Sequence, residues 1–491
     1  MDIIGFIIDN ILLLILLADV FLILVMVFWE RNDPQTVLLW IIVLGVIPIV
    51  GFFLYLFLGQ SFYSERAFRN KAAKDREFED AILAEVKESV SKIMDNELAE
   101  HPENGKKLRF ANAMTKAGSE LYTNSNDVRF MSESQTYFDN LLKDLADAKE
   151  TINFEYYIIR NDEVSNRLMD ILTDRVKNGV EVRLMIDAIG NNKGPKKKIR
   201  EFKAAGGKFS LFHSTATCLL SPRKNNRNHR KIAVIDGTVA YVGGFNIGDE
   251  YLGKGPLGFW RDSAVRIEGP EVLDAQVRFL VDWRYATDEN AVFEMKFYPD
   301  IMKMVSKGED SIQLISGGPD VAYFNPIQLQ YLNMFLSAEK TLYIHTPYLG
   351  PDAALLETLR NSALLGVDVR VIIPDVGDHP FVYWANRYYA NTLMEHGVKI
   401  YEFHNGFVHS KTMVADGYYC SVGSANLDER SVKLNFETNA MIYSSRIGKE
   451  MDDAFMKDLE RCTEYTREMY AQRTFFQRFK TGISRLVAGQ L

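Results

Sequence analysis

The chain has 491 residues, with Lys+Arg 57 against Asp+Glu 65 for a net charge of −8, 47% hydrophobic and 25% charged residues; this globular composition excludes a disordered, collagenous or coiled-coil chain. Its length calls for two to four folded units at roughly 100–200 residues each, and the mildly acidic balance argues against a surface built to neutralise nucleic-acid phosphates. Cys218, Cys420 and Cys462 are odd in number and far apart, with no C-x-x-C, so they read as reduced thiols and neither a disulfide framework nor a cysteine zinc site is expected.

The N-terminal segment departs from this average. Ile11 to Trp29 is apolar apart from Asp19, and Val37 to Leu58 carries no charge at all. At about 1.5 Å rise per residue the second run reaches about 33 Å, enough to cross a hydrocarbon core of roughly 30 Å. The pattern predicts two transmembrane helices joined by Glu30-Arg31-Asn32-Asp33-Pro34. A cleaved signal peptide is disfavoured, because Met1-Asp2-Ile3-Ile4 lacks a basic n-region and a second apolar run follows at once. Arg66, Arg69, Lys71, Lys74 and Arg76 follow the second run, whereas the turn carries only Arg31, so the rest of the chain is expected on the cytoplasmic side of the cell membrane. A carboxylate at membrane depth is costly; Asp9 is placed near the interface and Asp19 in a polar contact to the second helix.

Ser64 to Glu100, rich in Ala, Glu and Lys, predicts one or two amphipathic helices linking membrane to body. Beyond about Arg109 short β-rich runs alternate with helical ones, and the pattern occurs twice. Ala148-Lys149-Glu150-Thr151-Ile152-Asn153-Phe154 aligns with Ala338-Glu339-Lys340-Thr341-Leu342-Tyr343-Ile344, and Gly179-Val180-Glu181-Val182-Arg183 with Gly366-Val367-Asp368-Val369-Arg370. Strand, helix, strand in each half implies parallel βαβ units, hence a pseudo-twofold α/β body made by duplication. The expected divisions are 1–60 for the membrane hairpin, 61–109 for a helical linker, 110–308 for the first domain and 309–491 for the second.

Each half then carries the same spaced set. Asn228-His229-Arg230-Lys231 leads to Asp236-Gly237 and on to Gly243-Gly244-Phe245-Asn246, while Val408-His409-Ser410-Lys411 leads to Asp416-Gly417 and on to Gly423-Ser424-Ala425-Asn426. Both read H-x-K-x4-D-x6-G-x2-N, which chance should produce at roughly one start site in a few million. In an extended strand, residues i and i+2 share a face, so each His projects with its Lys; Asp-Gly is a hairpin signal that returns the chain, with its Asn, beside them. Imidazole, ammonium and carboxamide converging on one point suit a phosphate. An isolated His or Lys on a β run is usually a satisfied structural residue, but recurrence in register removes that reading for His229, Lys231, His409 and Lys411. For Asp236 and Asp416 a turn or ion-pair role stays equally open.

Other features carry less. Gly253-x-Gly255-x-x-Gly258 mimics a dinucleotide fingerprint, but Pro256 and Phe-Trp-Arg-Asp follow no strand into a helix, so a loop is expected. The run Lys193 to Lys198 reads as solvated surface. His213, His345, His379 and His404 lack metal-ligand spacing, although His345 and Tyr348 stand where a pocket wall could be. At the C-terminus Phe475, Phe479, Ile483, Leu486 and Val487 lie at helical spacing with Arg478, Lys480 and Arg485 between them, a basic amphipathic helix suited either to anionic lipid or to packing on the second domain.

The duplicated motif resembles the HKD signature of the phospholipase D superfamily. Two N-terminal membrane helices followed by two such domains most resemble the bacterial cardiolipin synthases, as do Arg31-Asn32-Asp33-Pro34 through Trp40, Pro48, Gly51, Tyr55 and Gly59, and Thr346-Pro347-Tyr348-Leu349-Gly350-Pro351-Asp352. The resemblance covers essentially the whole chain. It implies tandem phospholipase D-like domains and transfer of a phosphatidyl group between two phosphatidylglycerols through a phosphohistidine, giving cardiolipin and glycerol. It implies no cofactor, no metal, contact with anionic membrane lipid, and an active site complete without an oligomer; a nuclease of the same superfamily is a further alternative, disfavoured because membrane helices and an acidic balance fit nucleic acid poorly, so no nucleic-acid partner is expected. By this resemblance His229 is the nucleophile and His409 the acid, then base, although the reverse order is open. Lys231, Lys411, Asn246, Asn426 and Ser424 would hold the phosphate, with Gly244 standing where the second motif has Ser424. Asp262 and Glu437 resemble the carboxylates that orient each histidine. Hydrolysis, or transfer to another alcohol, is the alternative outcome of the same chemistry.

Overall fold

The computed structural model describes residues 11–29, 34–55, 68, 71–75, 77, 88, 90–118, 121–213, 226–289, 294–298, 307–320 and 325–487. The chain divides into an N-terminal unit and a body of residues 75–214 and 226–491.

In the N-terminal unit the apolar runs become α1 (Ile11–Trp29), α2 (Pro34–Val46) and α3 (Pro48–Leu54). The second run, expected as one continuous helix, breaks at Ile47, because Pro48 offers no N–H and its ring displaces the preceding turn. Gly51 is needed at this corner, since a Cβ there would sit 2.7 Å from the Val43 carbonyl oxygen. Met26, Leu44 and Tyr55 form a small core, with Trp40 edge-on to Tyr55 at 5.4 Å. Leu17, Phe21, Phe28, Leu39, Ile42 and Val46 face outward. Among the described residues no helix is long and apolar enough to cross a membrane. The polar contact expected for Asp19 is not formed: it is buried, and both carboxylate oxygens lack a hydrogen-bond partner among the described residues.

The body is organised by one 15-stranded mixed sheet. The first half contributes β1 (Thr123–Met131), β2 (Thr151–Tyr156), β3 (Glu181–Asp187), β4 (Lys208–Phe212), β5 (Ile232–Ile235), β6 (Val239–Gly243) and β7 (Ala264–Glu268). The second contributes β8 (Asp310–Gly317), β9 (Thr341–His345), β10 (Asp368–Pro374), β11 (Lys399–Phe403), β12 (Thr412–Ala415), β13 (Tyr419–Gly423), β14 (Glu437–Tyr443) and β15 (Cys462–Tyr465). From the centre outward the orders are β1-β7-β6-β5-β2-β3-β4 and β8-β14-β13-β12-β9-β10-β11-β15, so the halves repeat one topology and join where β1 pairs antiparallel with β8. The βαβ units read from the repeat are present: β2 runs parallel to β3, and β9 parallel to β10.

A hydrophobic core continues across that junction, from Val128, Val234, Val242 and Ile267 to Ile312, Leu314, Val422 and Ile442. It fixes the halves at an apolar interface in which one deleted side chain costs about 2–5 kcal/mol. The predicted linker ends as helix 90–100, whose Glu97 accepts a hydrogen bond from Tyr122 at 2.7 Å and pairs with buried Lys107. The glycine-rich stretch is a loop, with Gly253 at φ +79°.

The motif aspartates close the two central hairpins. Asp236-Gly237 and Asp416-Gly417 each place two residues at positive φ (51°, 63° and 54°, 61°), as a two-residue turn of this hand requires. The Asp236 carboxylate accepts the backbone N–H groups of Lys149, Glu150 and Thr151 at 2.8–2.9 Å, and Asp416 those of Glu339, Lys340 and Thr341 at 2.7–2.9 Å. Both lie at the far ends of β5 and β12 from the histidines, where the geometry supports the turn role over a catalytic one: they lash the turn to the start of β2 or β9. Asp236→Ala and Asp416→Ala are expected to orphan three donors each, costing about 1–3 kcal/mol, and to lower the melting temperature by a few degrees while the surviving folded protein keeps its specific activity. An unchanged melting temperature with lost activity would reverse this assignment.

Candidate active site

Each motif histidine sits just ahead of its strand, in an extended segment that pairs with the other half. Asn228 bridges to Phe436, and the His229 N–H donates to the Phe436 carbonyl at 2.9 Å. Phe407–Val408 runs parallel to Trp260–Arg261, and the His409 N–H donates to the Arg261 carbonyl at 2.8 Å. The predicted i, i+2 geometry holds, in that each lysine folds back onto its own histidine: Lys231 donates to the His229 carbonyl at 2.6 Å, and Lys411 to that of His409.

This exchange of edges hands each imidazole a carboxylate from the opposite half. His229 Nδ1 lies 2.9 and 3.0 Å from the two oxygens of Glu437, and His409 Nδ1 lies 2.6 Å from Asp262 Oδ2. A carboxylate accepts, which favours a proton on Nδ1 and leaves the Nε2 lone pair for substrate; at His409 the same Nδ1 also has Lys411 Nζ at 2.9 Å. Both carboxylates are fully buried. Glu437 also accepts from Ser424 Oγ at 2.6 Å and from Asn435. Ser424 is therefore not placed as a phosphate ligand; its hydroxyl orients Glu437. In the first half a Cβ at Gly244 would lie 2.1 Å from Asp262 Oδ1, so glycine there makes room for the shorter carboxylate.

The asparagines differ as well. Asn246 is occupied: its Oδ1 accepts from the Ile158 N–H, and its Nδ2 donates to Tyr251 OH at 3.2 Å, which in turn is 3.3 Å from His409 Nδ1. Its place is thus behind the opposite histidine. Asn426 keeps a buried Oδ1 with no hydrogen-bond partner among the described residues, and its backbone N–H goes to Ser431.

Sequence reasoning missed the buried braces. Arg230, between His229 and Lys231, points the other way: it pairs with Asp282 at 2.5 Å and donates to the Gly317 carbonyl and to Thr438 beside Glu437. Arg261 pairs with Asp458 at 2.8 Å and donates to the Asp262 carbonyl and Ser263. Each is adjacent to a charged or motif residue, Arg230 between His229 and Lys231 and Arg261 before Asp262, so neither stood out in the sequence as a separate signal. His345 is not a pocket wall; it is buried against Thr412 and stands 3.2 Å from Asp458. Tyr348 donates to Asp378 at 2.5 Å on the exposed side of the site. Cys420 is buried and Cys462 half-buried, both as free thiols; Cys218 lies outside the described residues.

Burial sets the electrostatics. It pushes the His229 imidazole down to about 4 and His409 to about 3, with the neighbouring ammonium groups of both halves adding to the depression. Desolvation likewise brings Lys231 down to about 7 and Lys411 to about 8. Glu437 goes the other way: burial would raise it, but His229, Lys231 and Ser424 hold it below the ordinary range. Such a site resists holding positive charge alone and regains it when an anion arrives, because a phosphate offsets the mutual repulsion of the cations. Among the described residues no group of three or more His, Cys, Asp or Glu is arranged to hold a metal ion.

The family model "Cardiolipin synthase, PLD-like domain" matches residues 141–281 and 331–459. The chain is similar to a cardiolipin synthase of Staphylococcus aureus strain N315, 39% identical over 467 residues, covering 94% of this chain and 92% of that protein. It is similar to a cardiolipin synthase of Listeria welshimeri serovar 6b, 38% identical over 480 residues and covering 97% and 98%. Among solved structures, the phosphatidylserine synthase of Haemophilus influenzae Rd KW20 shares the fold at a TM-score of 0.59 and 16% identity, covering 78% of this chain and 100% of that one.

kcat/KM reports the free enzyme, so capture of an anionic phosphate by both ammonium groups predicts that kcat/KM falls as pH rises from about 7 past 8. A flat profile over that range would show that the lysine charges are not needed for capture.

Proposed function

The chain belongs to the cardiolipin synthase family of phospholipase D-like proteins, and from that premise we propose how its own residues carry the reaction. It is a phosphatidyltransferase of phospholipid biosynthesis, and the observation that supports the following course is the pair of imidazoles, each oriented by a carboxylate from the opposite half.

His229 Nε2 attacks the phosphorus of a first phosphatidylglycerol. The P–O bond to the glycerol headgroup breaks, and protonated His409 gives its proton to the leaving oxygen, releasing glycerol and a phosphatidyl–His229. His409, now neutral, takes a proton from a headgroup hydroxyl of a second phosphatidylglycerol; that oxygen attacks phosphorus, the P–N bond breaks, and cardiolipin leaves. Lys231 and Lys411 stabilise the non-bridging oxygens through both five-coordinate transition states, with the Asn426 carboxamide beside them. Negative charge on the bound phosphate is what restores the proton to His409, whose acidity in the lipid-free site follows from burial and neighbouring cations. Glu437, Asp262, Ser424 and Tyr251 act through the histidines.

The site forms within one chain, so no second copy is required. The outward apolar faces of α1 and α2, together with the basic cluster from Arg66 to Arg76, support an N-terminal hairpin embedded in the cell membrane with the body on the cytoplasmic side.

Purified full-length protein with labelled phosphatidylglycerol in mixed micelles, with chelator present, is expected to yield cardiolipin and free glycerol in equal amounts. His229→Ala should lose more than about 1,000-fold in rate, the scale expected for removing an essential nucleophile. Phosphatidic acid as the main lipid product would replace the transferase course by hydrolysis, and inactivity under chelation would exclude the metal-free chemistry.

A further inference from the structure

The C-terminal helix (Phe475–Val487) is built inside out. At about 100° per residue, Phe475, Phe476, Phe479, Ile483 and Leu486 fall within one sector of roughly 100°, whereas Thr481 and Ser484 lie opposite. A helix packed on a globular body normally turns its apolar face inward. Here Thr481 and Ser484 are the buried residues, while Phe475, Phe476 and Leu486 are 77%, 73% and 76% exposed.

The docking against helix Pro380–Met394 is made by other means. The Lys480 ammonium sits 5.7 Å above the Trp384 ring, and Arg485 lies 5.2 Å over Tyr388 and donates to its hydroxyl at 3.3 Å. Arg473, just before the helix, folds back onto it by donating to Thr481 at 2.9 Å. The helix is therefore held in place, and its apolar face is turned out by design of the attachment, not by fraying.

We propose that this face docks on an anionic lipid surface, as a membrane contact separate from the N-terminal hairpin. Charge selects this occupant. Arg478, Lys480 and Arg485 flank the apolar sector, Arg473 precedes it, and residues 473–487 contain no Asp or Glu, in a chain whose net charge is −8. An aromatic sector with cationic borders matches the boundary between acyl chains and anionic headgroups, where phenyl rings insert and ammonium and guanidinium groups meet phosphate. A second copy of the same face would bring these like charges together around the contact, which disfavours self-pairing.

The attachment also leads to the reaction centre. Helix Pro380–Met394 also holds the loop that follows β9: Asn386 accepts from the Leu349 N–H and donates to the Pro347 carbonyl, both at 2.8 Å. Tyr348 of that loop bonds Asp378, and Thr346 accepts from the Leu427 N–H, next to Asn426. One helix thus carries the C-terminal helix and, through this loop, reaches the segment that holds Asn426, so docking would set the height of the site above the bilayer. The proposal stands on exposure and charge and does not depend on which acceptor the reaction uses.

Full-length protein in nanodiscs, where both membrane faces are open to protease, provides the test. Tryptic cleavage after Arg478, Lys480 and Arg485 is expected to slow by about tenfold in discs containing phosphatidylserine relative to pure phosphatidylcholine. Phe475→Ser combined with Phe479→Ser and Leu486→Ser should abolish the protection with the melting temperature unchanged, and His229→Ala should leave it intact. Equal cleavage in both discs, or equal protection in both, would overturn the proposal. Protection that instead follows protein concentration in detergent would assign the face to a second copy and overturn it too.

Discussion

The carboxylate–imidazole bonds that cross between the halves are the constraint on which the rest of the body depends. Neither half contains a complete histidine: His229 is fixed by Glu437 and His409 by Asp262, at 2.6 to 3.0 Å. A displacement of the halves by a single ångström would lengthen both bonds beyond hydrogen-bonding distance at once. The continuous sheet, the apolar core across the β1–β8 junction and the exchanged pairs Asn228 with Phe436 and Phe407–Val408 with Trp260–Arg261 all act to prevent such slippage. The ion pairs of Arg230 with Asp282 and Arg261 with Asp458 brace the same strands from behind, where a missing partner would leave a charge buried without compensation.

The twofold repeat is broken where the chemistry would benefit. Both halves must place a carboxylate oxygen against Nδ1, and they do so with different lengths of side chain. In the second half the longer Glu437 is steadied by Ser424; in the first the shorter Asp262 fits only because position 244 has no Cβ. His409 gains Tyr251, itself held by Asn246, while His229 has the Tyr157 ring edge-on at 5.0 Å. Two imidazoles with the same tautomer but different neighbours are suited to different tasks, one to bond phosphorus and the other to move protons, as the proposed course requires.

The sequence carried the repeat and the His and Lys pairs, because those are local spacings whose recurrence identifies them; the two carboxylates stand at unequal spacings from their motifs and were singled out by the family resemblance alone. It did not carry which carboxylate serves which histidine, since that depends on pairing between segments about 200 residues apart in the chain. Asp236 and Asp416 were ambiguous for a physical reason: an aspartate before glycine is both a turn former and a possible catalytic acid, and only the three N–H groups at each carboxylate decide between them. Ser424 misled because its hydroxyl is equally able to meet a phosphate or a glutamate. Arg230 and Tyr251 act on the side of the strands away from substrate, which a motif read for its forward face does not show. At the N-terminus hydropathy marked the apolar runs correctly but not the corner at Pro48, where a local steric rule overrides a uniform pattern.

Burial gives the site a further property that matters for a reaction between two lipids. The same burial that lowers both lysines and both histidines leaves their side chains little exposed to solvent, and water is the competing acceptor for any phosphohistidine. A lipid alcohol reaches phosphorus only if its headgroup enters while its acyl chains stay in the bilayer, so the rim must lie close to the membrane surface. The loop from Pro347 to Gly350, which follows Thr346 beside the Asn426 segment, is fixed by Asn386 on the helix against which the C-terminal helix docks. Partition between transfer and hydrolysis then depends less on the imidazoles, which serve any hydroxyl, than on how the rim meets the lipid: a close approach admits headgroups in preference to bulk water, and a tilted one exposes the intermediate to hydrolysis.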